Sequence, residues 1–438
     1  MKITKKILAA LFAALLILSC FSGCRNKDKN DDTNNGANGK KDVTLKVWHL
    51  WASESNQLQS RYNNAVKKYM EDNPHVTIVS ESLDTDAYKQ KISTEFSGNA
   101  SGIDVFYWWG AGSARDLVDA GKVLPLDEYM DDDMKSRITG STDAFTFNGK
   151  TYSVPMFAWH MSLYCNKDLF DRAGATIPEN YDQLVDAVKK LNTLEGITPI
   201  ASGAKDGWNA AFIYQAIATR DVGAKNVNQM LTGKADFDDN KGYRTAAERV
   251  VELNSLGAFG KNPLEQNNDD ANASFISGKS AMRLMGSWFA NQVYTDPSAT
   301  IDPTKVVAIN FPMTGDNSDP TDYNGGFVES FWVNSATSYA DDAAKFCLYI
   351  NEKMGVASYE TGSGFSGWNT QADESNINDL FIQVKKLLQQ GKTGVLAWDT
   401  SLDANSAAIH NEAVQTLFGK NADVDEFIET HEDALDDR

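Results

Sequence analysis

Ile103 to Gly121 reads IDVFYWWGAGSARDLVDAG, and this stretch decides the fold. Ile103 to Trp109 is a short apolar and aromatic run without strict alternation. A strand buried on both faces of a parallel sheet has that character. Gly110 and Gly112 break the run. Ser113 to Ala120 then carries apolar residues at helical spacing, and Gly121 suits the left-handed turn that closes a helix. Strand, glycine turn and helix make one α/β unit, and its neighbours repeat it. Upstream, Val43, Leu45 and Val47 alternate as a strand does. Leu58, Tyr62, Ala65, Val66, Tyr69 and Met70 then fall on one helical face that Asn73-Pro74 ends. Val76 to Val79 reads as a strand, and Tyr88, Ile92 and Phe96 mark a second helix. Tyr181 to Leu191 and Asp341 to Ile350 are amphipathic helices. Strand–helix alternation implies α/β layers with mostly parallel sheets. The folded body, from Asp42 to about Arg438, is too long for one ordinary core, so two lobes are expected.

The chain begins differently. Met1 precedes Lys2, Lys5 and Lys6, then an uncharged apolar run from Ile7 to Leu18, then Ser22-Gly23-Cys24. A basic start, a short apolar core and small residues before a cut make a secretory signal peptide over 1–23. A run of that length is too short to cross a hydrocarbon core of ~30 Å as a helix. Small residues followed by cysteine resemble the bacterial lipobox, in which the cysteine becomes the lipidated N-terminus. Phe21 departs from the aliphatic residue usual there, and Cys20 is a rival. Cys24 is preferred, because Ser22 and Gly23 are small and a tether starts beyond them. Residues 24–41, the lipidated cysteine and its tether, contain Asn, Asp, Lys and Gly and no large apolar side chain, so they cannot bury a core. The net charge is −19, and loss of Lys2, Lys5 and Lys6 with the leader takes it to −22. Such a surface repels nucleic acid. Of four cysteines, Cys165 and Cys347 remain in the body, each in an apolar context that suits a separate buried thiol.

Catalytic signatures are missing. His49, His75, His160, His410 and His431 are scattered, with no HExxH. No Walker loop or GxSxG elbow occurs. Asp316 to Asp322 is acidic but lacks the rhythm of a calcium loop. No cofactor or metal is expected. Ten tryptophans stand out instead, several beside glycine, Asp or Asn: WWGAG, KDGWN, GSW, FSGWN and AWDTS. An indole beside amide and carboxylate groups offers a flat apolar face next to hydrogen-bonding partners, which matches a sugar ring with its rim of hydroxyls. Core packing is the alternative for each, and is favoured for Trp48 and Trp332 in their apolar strand patterns.

Several longer stretches carry a resemblance. They are Ile103 to Met130, Tyr152 to Gly174 with YCNKDLF, Gly196 to Gln215, Phe275 to Trp288 and Asn324 to Ile350. Together, and in this order, they resemble the extracellular solute-binding proteins of bacterial ABC importers, in the maltose-binding-protein-like carbohydrate branch. The resemblance spans Val43 to Leu435. It implies a two-lobed flytrap with a ligand cleft between lobes, and three chain crossings near Phe157, Gly326 and Asn369. The first lobe is then 42–157 with 327–369, and the second 158–326 with 370–438. It implies capture of a sugar, delivery to an ABC permease at the outer face of the cell membrane, and no catalysis. The many aromatics suit an oligosaccharide. The chain is expected to act as a monomer held to the membrane by its lipid.

Candidate ligand-binding residues follow by position. Trp51, Ser53 and Glu54 lie after the first strand, and Asp84 precedes a helix as a contact or a cap. Trp108 or Trp109 is the first-lobe aromatic, since consecutive strand residues point oppositely. Trp159 follows the first crossing. Asp206, Trp208 and Asn209 form DGWN, and Trp288 matches the second-lobe stacking aromatic. Gly325, Gly326 and Glu329 lie on the return crossing, Trp368 near the third, and Trp398 with Asp399 in the last segment. The competing readings are a cell-anchored glycoside-active enzyme, which needs two carboxylates at a set separation, and a same-fold lipoprotein that senses a ligand or holds a non-sugar solute such as a peptide.

Overall fold

The computed structural model describes residues 41–52, 57–315 and 319–435; the expected leader, Cys20, Cys24, the expected tether up to residue 40, Ser53 and Glu54 lie outside them. The chain falls into two units, 1–41 and 42–438, and every element below belongs to the second. Val43, Leu45 and Val47 are buried and Thr44 and Lys46 exposed along strand β1 (Val43–His49). Helix α1 (Gln57–Asp72) buries Leu58, Tyr62, Val66 and Tyr69, the stripe that three- and four-residue spacing dictates. It stops short of Pro74. Next come β2 (Val76–Ser82), α2 (Thr85–Ser97), β3 (Val105–Trp109) and α3 (Gly112–Asp119). Gly121, at φ +65°, takes the left-handed turn after α3, and its N–H donates to the Val118 carbonyl.

Helix α4 (Asp132–Arg137) and the hairpin β4 (Thr146–Phe147) and β5 (Lys150–Thr151) lead into the long strand β6 (Phe157–Asn166). Helices α5 (Lys167–Ala173) and α6 (Tyr181–Leu191) precede β7 (Thr198–Ala201). Then follow α7 (Gly207–Val222), α8 (Ala224–Leu231), α9 (Gly242–Ser255) and α10 (Asn268–Ile276). Strand β8 (Ser280–Gly286), helix α11 (Trp288–Thr295) and strand β9 (Val306–Ile309) lead to the second long strand, β10 (Asp322–Val333). The chain ends with α12 (Ala340–Glu360), β11 (Phe365–Ser366), α13 (Asp379–Gln390), β12 (Thr393–Val395), α14 (Trp398–Ser401), α15 (Ala404–Thr416) and α16 (Val424–Leu435).

The main sheet runs β2-β1-β3-β10-β6-β8-β7, with β9 and β11 paired to β6 and β12 to β10. The fold is the two-lobed α/β one. Parallel pairing joins β1 to β2 and β3, β7 to β8, and β10 to β12. The sheet is more mixed than the apolar runs suggested, because β10 is antiparallel to β3 and β6, and β6 is antiparallel to β8 and β9. Both long strands change partners along their length. Phe157 to His160 of β6 pair with β10 and β11, whereas Met161 to Asn166 pair with β8 and β9. On β10, Asp322 to Asn324 pair with β12 and Glu329 to Val333 with β3. Asn351 of α12 steadies β10 from behind, accepting from the Phe331 N–H (2.8 Å) and donating to its carbonyl (3.1 Å). Trp48 and Trp332 are core residues, and Cys165 and Cys347 are buried free thiols. Among the described residues no helix is long and apolar enough to cross a membrane.

Candidate functional site

Four aromatic rings line up across β6, α7 and α11. Trp208 lies in the first turn of α7, and Phe212, four residues on, lies on the same helical face. Their rings meet edge to face at 5.3 Å. Phe212 stacks on Trp159 of β6 at 5.5 Å and 11°. Trp159 in turn meets Trp288 edge to face at 6.0 Å. Trp159 and Phe212 are buried, whereas Trp208 and Trp288 keep part of their surface open. Each such contact adds about 0.5–1.5 kcal/mol beyond area burial, so the row is stiff. Glycine makes room for it. A Cβ on Gly286 would come 2.2 Å from the Trp288 ring.

The support beside this row is polar, and its buried cation is satisfied. Arg283 is the only charged residue of β8 and is fully buried. It donates to the Ala201 carbonyl (3.1 Å), the Ser202 carbonyl (3.0 Å), Asn272 Oδ1 (3.0 Å), Asn209 Oδ1 (2.7 Å) and Asn268 Oδ1 (2.9 Å). All five guanidinium donors thus hold the end of β7 and the first turn of α7 to α10, and a buried cation requires such pairing. Asn209 is a partner in that cluster. Asp206 accepts from the Asn268 N–H at 2.7 Å and belongs to the same brace.

A second group lies where β3, β10, α2 and α14 meet. Glu329 sits opposite Trp109 in the β3–β10 register and opposite Phe157 in the β10–β6 register. Burial pushes its carboxyl up to about 8; Lys89 opposes the rise and Asp399 adds to it. Glu329 Oε2 is buried without a hydrogen-bond partner. The Lys89 ammonium lies 3.3 Å from Asp399 Oδ2 and 4.8 Å from the centre of the Trp109 ring. Trp109 is therefore covered. Trp108, one residue earlier, meets the Trp109 ring edge to face at 5.4 Å and is half-buried, and its indole N–H donates to the Ser113 carbonyl at 2.9 Å.

The glycine pair links the two groups. Gly326 pairs with Trp159 and Gly325 with His160, each glycine at φ +144°. A Cβ on Gly325 would lie 2.1 Å from the Trp159 carbonyl oxygen. The other candidates stand apart. Asp84 caps α2, accepting from the Ala87 N–H at 3.1 Å. Trp51 packs among His49, Tyr62, Tyr107 and Phe331. Trp368 is buried, with its indole N–H on the Pro155 carbonyl (2.7 Å). Trp398 is buried against His410, Tyr214 and Tyr243. Ser53 and Glu54 are outside the described residues. Sequence reasoning missed Lys89, Phe212 and Arg283. Phe212 was readable from its spacing to Trp208, and Arg283 as a lone charge in SAMRLMG. Lys89 carried no signal. Among the described residues one group of metal-type donors gathers, the exposed carboxylates of Asp236, Asp238 and Asp239.

The family of bacterial extracellular solute-binding proteins matches over residues 52–355. A mannitol-binding protein of Pseudomonas aeruginosa is 24% identical, with 76% of each chain covered. A multiple sugar-binding protein of Streptococcus mutans is 26% identical over 49% of this chain and 50% of its own. A structure from work on xylan utilization by Caldanaerobius polysaccharolyticus superposes with a TM-score of 0.84 at 33% identity, covering 89% of this chain and 99% of that one. A chitin oligosaccharide binding protein shares the fold, with a TM-score of 0.81 at 20% identity over 90% of this chain and 98% of that one. The chain belongs to the bacterial extracellular solute-binding proteins.

Proposed function

We propose that this solute-binding protein captures a sugar, specifically an oligosaccharide, between two closing lobes and delivers it to the membrane permease of an ABC importer. The lobes are 42–157 with 327–369, and 158–326 with 370–438. The change of partners along β6 between His160 and Met161, and along β10 between Asn324 and Glu329, supports crossings near Phe157 and Gly326; the third crossing of this reading lies near Asn369. A leader over residues 1–23 exports the chain, and a lipid on Cys24 holds the monomer at the outer face of the cell membrane.

The observation that carries the reading is the aromatic row. Trp208 and Trp288 present open surface at the two ends of a rigid Phe212–Trp159 stack, and Trp108, on the first lobe, is only partly buried. Several platforms suit several sugar rings. The names of the relatives agree with sugar, and the xylan-linked structure makes xylan-derived oligosaccharides the first ligands to try. Capture needs no catalytic group. Sugar would close the lobes only as far as it binds the closed form more tightly.

The test is the melting temperature of the protein against mono- and oligosaccharides. Binding to the folded state alone adds ~2.7 kcal/mol at a hundredfold excess over Kd. A shift with one sugar class and no products by chromatography supports capture. Products would transfer the reading to a glycoside-active enzyme, and no shift with any sugar would transfer it to another solute. Trp288→Ala should cost more than ~1.5 kcal/mol of sugar binding with the fold intact. Unchanged affinity with a lowered melting temperature would make Trp288 a core residue.

A further inference from the structure

We propose that Lys89, Asp399 and Gly112 form a clasp between the two lobes: Lys89 reaches from α2 across Trp109 to the Asp399 carboxylate, while Gly112 lets the backbone of α14 close against α3. The inference rests on the lobe assignment proposed above, which puts Lys89, Trp109, Gly112 and Glu329 on the first lobe and Asp399 and Ser401 on the second.

Three observations converge on it. The first is the ion pair, 3.3 Å long between residues far apart in the chain, with the Asp399 side chain only 8% exposed. An anion so shielded is screened less by salt than a surface one. The second is what surrounds the pair. Trp109 lies beneath the ammonium at 4.8 Å, and the Ser113 hydroxyl is 3.5 Å from the Asp399 carbonyl. Among the described residues Glu329 also faces them, and Lys89 and Asp399 are the charges that act on it. Burial favours the protonated form of Glu329, which leaves Asp399 as the counter-ion of Lys89. The third needs no charge. A Cβ on Gly112 would lie 2.0 Å from the Ser401 carbonyl oxygen and 2.6 Å from that of Leu402, so the two backbones approach as closely as a glycine permits.

Two consequences follow. Lys89 covers the face of Trp109, which leaves Trp108 as the first-lobe aromatic free to meet a ligand. The clasp also biases the ligand-free protein toward closure, and ligand affinity scales with the fraction of molecules already competent to bind.

The decisive measurement is the interlobe distance distribution, from one spin label on each lobe, in ligand-free protein. Lys89→Met keeps the stem and removes the charge, Asp399→Asn removes the partner, and Gly112→Ala inserts a methyl group into the backbone contact. Each should move population to longer distances, and the Lys89→Met/Asp399→Asn double variant should move it no further than either single one. With a sugar in hand, Lys89→Met should weaken binding roughly two- to fivefold, the scale of a partly exposed ion pair. Unchanged distances in both Lys89→Met and Gly112→Ala overturn the clasp. A lowered melting temperature with unchanged distances overturns it too, since the pair is then an ordinary structural contact. If wild-type protein binds no sugar, the sugar reading fails and the distances still decide the clasp.

Discussion

Glu329 shows how far a residue's chemistry depends on what folding brings beside it. As a glutamate in an unfolded chain it titrates near 4.5; buried between β3 and β6 it is pushed up to about 8. The folded state thus prefers the protonated form. Its stabilising share is fully present below the unfolded value and is lost as pH rises through about 8. Glu329→Gln keeps the shape and stays neutral. Its melting temperature should match wild type near pH 4 and exceed it by a margin that grows up to about pH 8 and then levels off. A margin that stays flat across that range would mean the folded carboxyl is solvated. The same scale explains what the tryptophans did and did not disclose. Their number and polar neighbours pointed to an aromatic site, but chain neighbours are not neighbours in space. Trp288 and Trp368 both follow a glycine within two residues. Trp288 lies over Gly286 and stays half open, whereas Trp368 is shut in by Gly355 and Pro155. Trp51 looked like a loop residue, yet its ring is enclosed by Tyr62, Tyr107 and Phe331.

Elements were the most readable level, because each apolar period maps onto one regular structure. Tyr181 to Leu191 is a helix at the bounds its pattern gives, with Asn180 as its cap. IDVFYWW forms β3 from Val105, and the helix after it ends with Gly121 in the left-handed turn. Pairing direction was not readable, since an apolar run buried on both faces looks the same beside a parallel or an antiparallel neighbour. Within β10 the local conformation carries a prediction. Gly325 and Gly326 both sit at φ +144°, just before the irregular register between Phe327 and Glu329. Gly325→Ala would combine a backbone strain of about 1–3 kcal/mol with a methyl group forced onto the Trp159 carbonyl. Gly121→Ala has open space around it, so its cost should be confined to the turn, about 1 kcal/mol. Urea midpoints should therefore fall much further for Gly325→Ala. Equal losses would show that strand β10 relaxes around the new side chain.

The whole molecule depends on β6 and β10, and their path sets how it unfolds. Two lobes were expected from chain length and from the resemblance, but not the fact that one continuous sheet order joins β2 at one end to β7 at the other. β6 pairs with β10 and β11 through Phe157 to His160 and with β8 and β9 beyond; β10 does the same between β12 and β3. Neither half of the sheet can lose its order without freeing a strand from the other half. The buried packing adds to this coupling, since Gln215 of α7 donates to Asn324 of β10 (2.9 Å) and accepts from the Trp398 N–H (3.1 Å). A molecule with two lobes joined by slack linkers would melt in two steps. Here the two long strands should make unfolding all-or-none despite the length of the chain. Calorimetry should show one transition, with a calorimetric enthalpy equal to the van't Hoff enthalpy, a ratio of about one. A tight sugar should raise that single transition without splitting it, because closure ties together lobes that already unfold as one. Two resolved transitions, or a ligand that moves only part of the heat absorption, would mean that β6 and β10 hinge freely enough for each lobe to keep its own core.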